Sequence, residues 1–184
     1  SSITEGKIMG RIIWVYGSIA GIILASSFAI GYVLGAGMDD HNIVTGYLVM
    51  LVAMSLVFVG IKRYRDTVHG GVISFLPAFG VGMGIAGVAS LFYVLGWEAY
   101  MYATDYGFMD AYIDSMIAAK QAAGATPAEI AKFTGEMNAF KADYAKPLYR
   151  MMVTLSEIAP VGLIVALVSA GLLRNSRFLP MRQS

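Results

Sequence analysis

The sequence predicts an all-α fold, a bundle of four transmembrane helices with an extramembrane helical hairpin between the third and fourth helices. Three observations carry this prediction. Hydrophobic residues make up 58% of the 184 residues and charged residues only 14%, whereas soluble domains carry roughly 25% charged residues. Four long apolar stretches are separated by charged residues and turn signals. The segment between the third and fourth stretches repeats apolar residues at helical spacing.

The four apolar stretches cover residues 12–37, 43–61, 72–97 and 151–173. At about 1.5 Å of rise per residue, a helix of this length crosses a hydrocarbon core of about 30 Å. Helices are favoured over open strands because unpaired backbone groups are costly in lipid. Lys7 and Arg11 precede the first stretch, as basic residues precede the apolar core of a secretory signal. The stretch is longer, however, than the roughly 7 to 15 apolar residues of such a core. We therefore interpret it as a retained anchor.

The segment 98–150 is predicted to be an insert within a single domain that covers residues 1–184. Two apolar series in it follow helical steps of three and four residues. They are Tyr102, Tyr106, Met109, Ile113 and Met116, and then Ile130, Phe133, Met137, Phe140 and Tyr144. Between them, Thr126-Pro127-Ala128-Glu129 has the pattern of a capping box, which begins a helix. We expect an antiparallel hairpin outside the membrane, with its first arm continuing the third span. The alternative is that both apolar stripes lie on the bilayer surface.

The distribution of charge predicts an orientation. Basic residues in short loops stay on the cytoplasmic side of a membrane. They dominate here before the first span, between the second and third spans and after the fourth, whereas acidic residues dominate the other two connections. Both termini are therefore expected in the cytoplasm, and segment 98–150 on the outer side. The net charge of +1 argues against a nucleic-acid partner, because phosphate binding needs a basic excess.

Small residues recur every fourth position on three of the spans, where they allow helix backbones to approach closely. They are Gly17, Gly21 and Ala25 on the first, Gly82, Ala86 and Ser90 on the third, with Gly80 and Gly84 as a second stripe, and Gly162, Ala166 and Ala170 on the fourth. We expect these stripes to pack the helices of one chain together. A homodimer interface is the alternative.

Glu157 lies inside the fourth predicted span, and a carboxylate there is costly enough to suggest a functional site. Counted from the outer ends of the helices, each of the other three spans has a tyrosine at a similar depth, namely Tyr32, Tyr47 and Tyr93. We expect Glu157 to face the bundle interior and to be hydrogen-bonded by one or more of these tyrosines. Ser90 and Thr154 are expected nearby.

Three interpretations of this polar cluster compete. It is a hydrogen-bond network that fixes helix packing, or a pocket in which Glu157 anchors a lipid, a quinone or another small amphiphile, or a site of proton-coupled transport. A second candidate region is the predicted inner loop after the second span, which holds the basic run of Lys62, Arg63 and Arg65 with Asp66. Cations near a membrane surface attract anionic head groups, but the same cations also serve as topology anchors.

Neither a catalytic motif nor a metal-binding motif accompanies these features. The sequence contains no cysteine, so it has no thiolate nucleophile and no cysteine metal site. It also lacks a glycine-rich phosphate loop, a serine nucleophile elbow and an HExxH motif. Asp39, Asp40 and His41 have side chains that can bind metals, but adjacent residues rarely complete a site alone. We expect no catalytic residue, no metal and no cofactor.

Four blocks of sequence together resemble a known family. They are GIKRYRD at 60–66, GGVISF at 70–75, SLFYVLGWEAY at 90–100 and TLSEIAPVGLIVALVSAGLLR at 154–174. The chain is similar over most of its length to the bacterial membrane proteins grouped as domain of unknown function 4199. The resemblance implies a small protein of the bacterial inner membrane with a helical periplasmic insert, and it implies no activity. It suggests testing Lys62, Arg63, Arg65, Asp66 and Glu157.

We therefore expect a non-enzymatic integral membrane protein that binds membrane lipids or a protein partner, the latter through the outer hairpin, as an accessory or scaffolding subunit. The alternative is a small transporter, or a membrane enzyme that acts on a lipid-soluble substrate through a buried site at Glu157. A water-accessible cavity that reaches Glu157 would favour this alternative. A sealed bundle with an apolar outer hairpin would favour the binding protein.

Overall fold

The computed structural model describes residues 2–34 and 43–181 of the protein. Within these residues the chain forms six helices and no strand, in the order α1 (Ser2–Val33), α2 (Ile43–Val68), α3 (Phe75–Ala103), α4 (Phe108–Ala122), α5 (Pro127–Tyr144) and α6 (Pro147–Leu173). Four of them, α1, α2, α3 and α6, are long and apolar enough to cross a membrane. The predicted all-α fold with four spans and a helical insert is confirmed. The end of the first predicted span and the candidate ligands Asp39, Asp40 and His41 lie outside the described residues.

The basic run that we interpreted as a loop is helical. The helix α2 continues through it to Val68, because no residue of this run breaks a helix. The chain leaves α2 at Gly70 and Gly71, whose φ angles of 58° and 90° are in the left-handed region that glycine adopts without strain. The amide of Gly71 donates to the carbonyl of Arg65 at 3.1 Å. The cations therefore lie on the last turns of a helix, where their directions follow the helical period.

The expectation that the hairpin continues the third span is wrong. The helix α3 ends at Ala103, and the chain turns at Asp105 and Tyr106, which have left-handed φ angles of 52° and 57°. The amide of Tyr106 donates to the carbonyl of Met101 at 2.8 Å, which closes this turn. Two successive non-glycine residues in this conformation are uncommon. The hairpin is therefore a separate unit joined to the bundle by a tight turn.

The helices α1 and α6 each contact both α2 and α3, which also contact each other. Small residues lie at these contacts, as the stripes predict. A methyl group added to Gly17 would lie 2.6 Å from Cβ of Val88, and one added to Gly162 would lie 2.9 Å from Cβ of Ala86. Gly80, in contrast, faces open space. Close backbone approach between α1 and α3, and between α3 and α6, therefore holds the bundle together.

The hairpin formed by α4 and α5 packs around an apolar cluster that it shares with Met101 of α3 and Val153 of α6. Met109 and Ile113 of α4 are buried in one cluster with Tyr144, and Met137 and Phe140 of α5 pack against it. The large apolar side chains of α4 and α5, which are described throughout, are all buried or half-buried. This arrangement agrees with paired helices rather than with stripes lying on a bilayer.

The capping box that begins α5 is present as predicted. The hydroxyl oxygen of Thr126 accepts from the amide of Glu129 at 3.3 Å, and a carboxylate oxygen of Glu129 accepts from the amide of Thr126 at 2.7 Å. The amide and the hydroxyl of Thr126 both donate to the carboxylate of Glu129, and these two hydrogen bonds lower the pKa of Glu129. The start of α5 is therefore specified by local sequence alone.

Candidate functional site

Glu157 lies on α6, ten residues after its first residue, Pro147, which is about 15 Å along the helix. One of its carboxylate oxygens accepts a hydrogen bond from the hydroxyl of Tyr93 at a long distance of 3.3 Å. Tyr93 is buried on α3, whereas the side chain of Glu157 is exposed. The carboxylate thus lies at an opening of the bundle and is not enclosed within it.

The opening at Glu157 is a cavity of about 310 Å3 between α2 and α6. It is lined by Glu157 and by four residues from the first two turns of α2, namely Ile43, Gly46, Tyr47 and Met50. The structure therefore places Tyr47 and Glu157 at one cavity, with Tyr93 bonded to Glu157, although the side chain of Glu157 is exposed and does not face the bundle interior. We call this cavity, with Tyr93 beside it, the Glu157 cleft.

The structure places the other predicted members of the cluster elsewhere. Tyr32 lines a different cavity of about 290 Å3, between α1 and α3. Ser90 lines an apolar cavity of about 360 Å3 between α3 and α6. The hydroxyl of Thr154 donates to the carbonyl of Arg150 at 2.9 Å, within its own helix. Depth along a helix can be counted from the sequence, but the direction around the helix axis decides which cavity a side chain reaches.

Arg65 is fully buried at the end of the bundle where α2 ends. Its guanidinium group donates to the carbonyls of Phe178 at 3.0 Å and Leu179 at 2.5 Å, and to a carboxylate oxygen of Asp66 at 2.8 Å. Lys62 also pairs with Asp66, at 2.5 Å. Arg65 therefore joins α2 to the segment that follows α6, and Asp66 on the same helix pairs with its guanidinium group. Among these four predicted residues, Arg63 is the one whose side chain is exposed.

A helical signal in the sequence could have revealed the burial of Arg65. The buried positions Val57 and Ile61 precede it at steps of four, so Arg65 continues the buried stripe of α2.

An ion pair that we did not predict lies at the opposite end of the bundle, next to the hairpin. Arg150 near the start of α6 donates to both carboxylate oxygens of Glu98 near the end of α3, at 2.8 Å and 2.7 Å. A further nitrogen donates to the carbonyl of Tyr144 at 3.1 Å. The side chain of Arg150 is only 3% exposed. Glu98 directly follows the third predicted span, and Arg150 directly precedes the fourth. Their opposite charges at the same membrane boundary are the sequence signal from which this ion pair could have been predicted.

Aromatic groups surround this ion pair. The guanidinium carbon of Arg150 lies 5.2 Å from the ring centroid of Tyr106 and 6.0 Å from that of Tyr144, distances typical of cation–π contacts. The indole nitrogen of Trp97 donates to the hydroxyl of Tyr144 at 2.8 Å. Burial raises the pKa of Tyr144, so its phenol stays protonated. The hairpin and the bundle are thereby joined through charged and aromatic side chains.

In the part of the chain that the structure describes, no group of three or more His, Asp or Glu side chains converges. The basic residues Arg65 and Arg150 are both engaged by backbone carbonyls and a carboxylate. Of the charged side chains that the sequence predicts as site residues, Arg63 and Glu157 are exposed within the described residues, and Glu157 lines a cavity.

Comparison with known proteins identifies the family of the chain. No curated protein and no solved structure matches the chain. Residues 15–175 match the model of one family, whose description is protein of unknown function (DUF4199). The match covers most of the chain, including α2, α3, the hairpin and Glu157. The family predicted from the four sequence blocks is thus confirmed, and the chain belongs to the DUF4199 family of proteins of unknown function.

Proposed function

We propose that this protein is a non-enzymatic, multi-pass membrane protein that binds a lipid or lipid-like amphiphile in the Glu157 cleft. The observation that carries the proposal is the position of Glu157, a carboxylate that lies inside a spanning helix, at an open cavity, with one long hydrogen bond. A carboxylate in contact with hydrocarbon is costly. A ligand that supplies a hydrogen-bond donor to Glu157 would offset that cost.

The lining of the Glu157 cleft restricts the ligand. Ile43, Gly46 and Met50 offer apolar surface, and Tyr47 adds a phenol to the carboxylate. A cavity of about 310 Å3 is at the lower end of the range for small-molecule sites, roughly 300 to 1,000 Å3. These groups fit a neutral amphiphile that carries a hydroxyl or phenol donor at its polar end and an apolar body that stays in the membrane.

A lipid-like ligand is better supported than a protein partner held by the hairpin. The large apolar side chains of α4 and α5 are buried or half-buried, several of them in the cluster shared with α3 and α6, which leaves little apolar surface for a partner on those two helices. A small transporter or a membrane enzyme acting on a lipid-soluble substrate is a second candidate. The Glu157 cleft favours this second candidate. It extends from the first turn of α2 to the carboxylate of Glu157 and the phenol of Tyr47, which are groups able to exchange a proton.

Native mass spectrometry of the protein released from nanodiscs tests the binding proposal. The wild type is expected to retain a lipid-soluble molecule, and Glu157→Gln to lose it. Ser156→Ala is the matched control, because Ser156 is exposed one position away and its hydroxyl donates to the carbonyl of Val153 at 2.6 Å. Equal retention by wild type and Glu157→Gln, or no retained molecule in the wild type, would contradict the proposal. Proton uptake by vesicles that contain the protein, lost in Glu157→Gln, would favour the transporter.

We further propose that the protein lies in the bacterial inner membrane with the hairpin on the periplasmic side and both termini in the cytoplasm. The division of basic and acidic residues supports this orientation. Because the sequence contains no cysteine, single cysteines can test it. A membrane-impermeant maleimide is expected to label Ala139→Cys in α5 in intact cells, and to label Ser2→Cys only after lysis. The reverse pattern would invert the orientation.

A further inference from the structure

A second cavity, of about 300 Å3, lies where the hairpin meets the bundle. It is lined by Met101 of α3, Tyr106 of the turn, Met109 of α4, Lys141 and Tyr144 of α5, Ala145 and Pro147 of the connection, and Arg150 of α6. We call it the boundary cavity. Helices of both the bundle and the hairpin line this cavity, so its shape depends on how the hairpin packs against the bundle.

The position of the boundary cavity corresponds to the head-group layer of a membrane. Met101 lies near the end of one spanning helix, and Pro147 and Arg150 lie at the start of another. Large side chains beside it project outward, with Tyr102 75% exposed and Leu148 74% exposed. Exposed tyrosines with apolar neighbours are typical of the interface between hydrocarbon and water. A molecule that enters this cavity would therefore come from the lipid side as readily as from water.

The charged groups that line the boundary cavity are both cations. Arg150 is held by Glu98 and by backbone carbonyls, so it forms a fixed part of the wall. Lys141 forms an ion pair with Asp110 of α4, but the two side chains are 43% and 63% exposed. Exposed ion pairs contribute little, so the ammonium group of Lys141 can exchange Asp110 for another anion. An incoming anionic group would meet Lys141 at the rim and Arg150 behind it.

The wall formed by Tyr106 is held by an unfavourable backbone conformation. Asp105 and Tyr106 both have left-handed φ angles, which for residues with a side chain costs free energy. Such strain is often found where a side chain must be held against a ligand. Here the turn holds the ring of Tyr106 at 5.2 Å from the guanidinium carbon of Arg150, and it leaves the ring half exposed toward the cavity.

From the cavity, its position, its cations and the strained turn, we infer that the boundary cavity is a binding site for the head group of an anionic phospholipid. The phosphate would pair with Lys141 and approach Arg150. The apolar part of the lipid would lie along Tyr102 and Leu148, which are exposed. This site is independent of the Glu157 cleft, from which it differs in every lining residue.

Trp97 provides a local signal for a test with the intact protein. The chain has two tryptophans, and the indole of Trp97 is bonded to Tyr144, which lines the cavity. In a Trp14→Phe background, Trp97 is the one remaining reporter. The protein is placed in nanodiscs of phosphatidylcholine that contain increasing fractions of phosphatidylglycerol. The emission of Trp97 is expected to change and to saturate as the anionic fraction rises.

Three charge variants are expected to differ in their affinity for phosphatidylglycerol. Lys141→Gln is expected to weaken the apparent affinity for phosphatidylglycerol about fivefold, the ratio typical of removing one lysine near an anionic surface. Asp110→Asn is expected to strengthen it, because Lys141 is then released from its partner. Lys132→Gln on α5 is the matched control; Lys132 is 81% exposed, lies 4.0 Å from Glu136 and is not part of the cavity.

Tyr106→Gly separates binding from folding. Glycine adopts the left-handed conformation without strain, so the turn is retained while the aromatic wall is removed. We expect weaker binding of phosphatidylglycerol, with an unfolding transition still present. The inference is overturned if Trp97 does not respond saturably, or if Lys141→Gln binds like Lys132→Gln. Saturation by inorganic phosphate in nanodiscs of phosphatidylcholine alone would also overturn it, because the ligand would then be a soluble anion. Glu157→Gln should leave the response unchanged, whatever its effect on the cleft.

Discussion

Replacing Glu98 with glutamine is expected to destabilise the protein by about 3 kcal/mol. Breaking a buried ion pair by removing one partner typically costs about 3 to 5 kcal/mol, because the other charge remains buried without compensation. Arg150 is 3% exposed and would lose the carboxylate that accepts from two of its nitrogens, while keeping its bonds to backbone carbonyls. Glu98 is 18% exposed, so some water reaches the site. The lower end of the range therefore applies.

The loss can be measured by unfolding the protein in mixed micelles with an increasing fraction of sodium dodecyl sulfate. In a Trp14→Phe background, the emission of Trp97 reports the region beside the ion pair. The Glu98→Gln and Arg150→Met single variants and their double variant form a thermodynamic cycle. We expect the double variant to lose clearly less than the sum of the two single losses, because it leaves no unpaired buried charge.

An exposed pair of the same type serves as the control. Lys146 and Asp143 lie 2.7 Å apart, but their side chains are 69% and 52% exposed. Asp143→Asn is expected to change stability by less than about 1 kcal/mol. The reasoning would be refuted if Glu98→Gln lost no more than Asp143→Asn, or if the two single losses at Glu98 and Arg150 were additive.

Further predictions concern the end of α2 at Arg65, the packing of α6 at Gly162, and the start of α5 at Thr126 and Glu129. Arg65→Met removes the donors that bind the carbonyls of residues 173–179, so amide hydrogen exchange in that segment is expected to become faster. Unchanged exchange would contradict the role of Arg65 in holding this segment against α2. Gly162→Ala is expected to lower stability by about 1 to 3 kcal/mol through overpacking, whereas Gly171→Ala, where the added methyl group meets open space, should be neutral or stabilising; equal effects of the two would argue against close packing of α6. Thr126→Ala should cost about 1 kcal/mol of stability at the start of α5, seen as faster exchange of its first amides. Because the pKa of Glu129 is lowered in the folded state, its contribution is present above its unfolded pKa and is lost as pH falls through the lower folded pKa. The wild type should therefore lose protection at the start of α5 from about pH 5 downward, and Thr126→Ala should show a smaller change.

The sequence by itself determined the four apolar spans, the helical insert between the third and fourth, and the family to which the protein belongs. Apolar stretches of sufficient length predict spans, because backbone groups in lipid must be paired within the helix. The capping box at Thr126 predicts the start of α5, since both of its hydrogen bonds join residues three apart. The family was also predictable, from blocks such as GIKRYRD at 60–66. All of these features depend on neighbouring residues, so they can be read without knowing how the helices pack.

Tertiary structure alone decided which polar groups meet. Tyr32 and Tyr47 are predicted at similar depths, but only Tyr47 lines the cleft with Glu157, because the rotation of each helix about its axis is set by its packing. Arg65 continues the buried stripe of α2, but its partners, the carbonyls of Phe178 and Leu179, follow from the position of the segment after α6. Arg150 meets Glu98 because α3 and α6 are antiparallel neighbours. Contacts between residues distant in sequence depend on the packing of the whole bundle, and local patterns do not specify that packing.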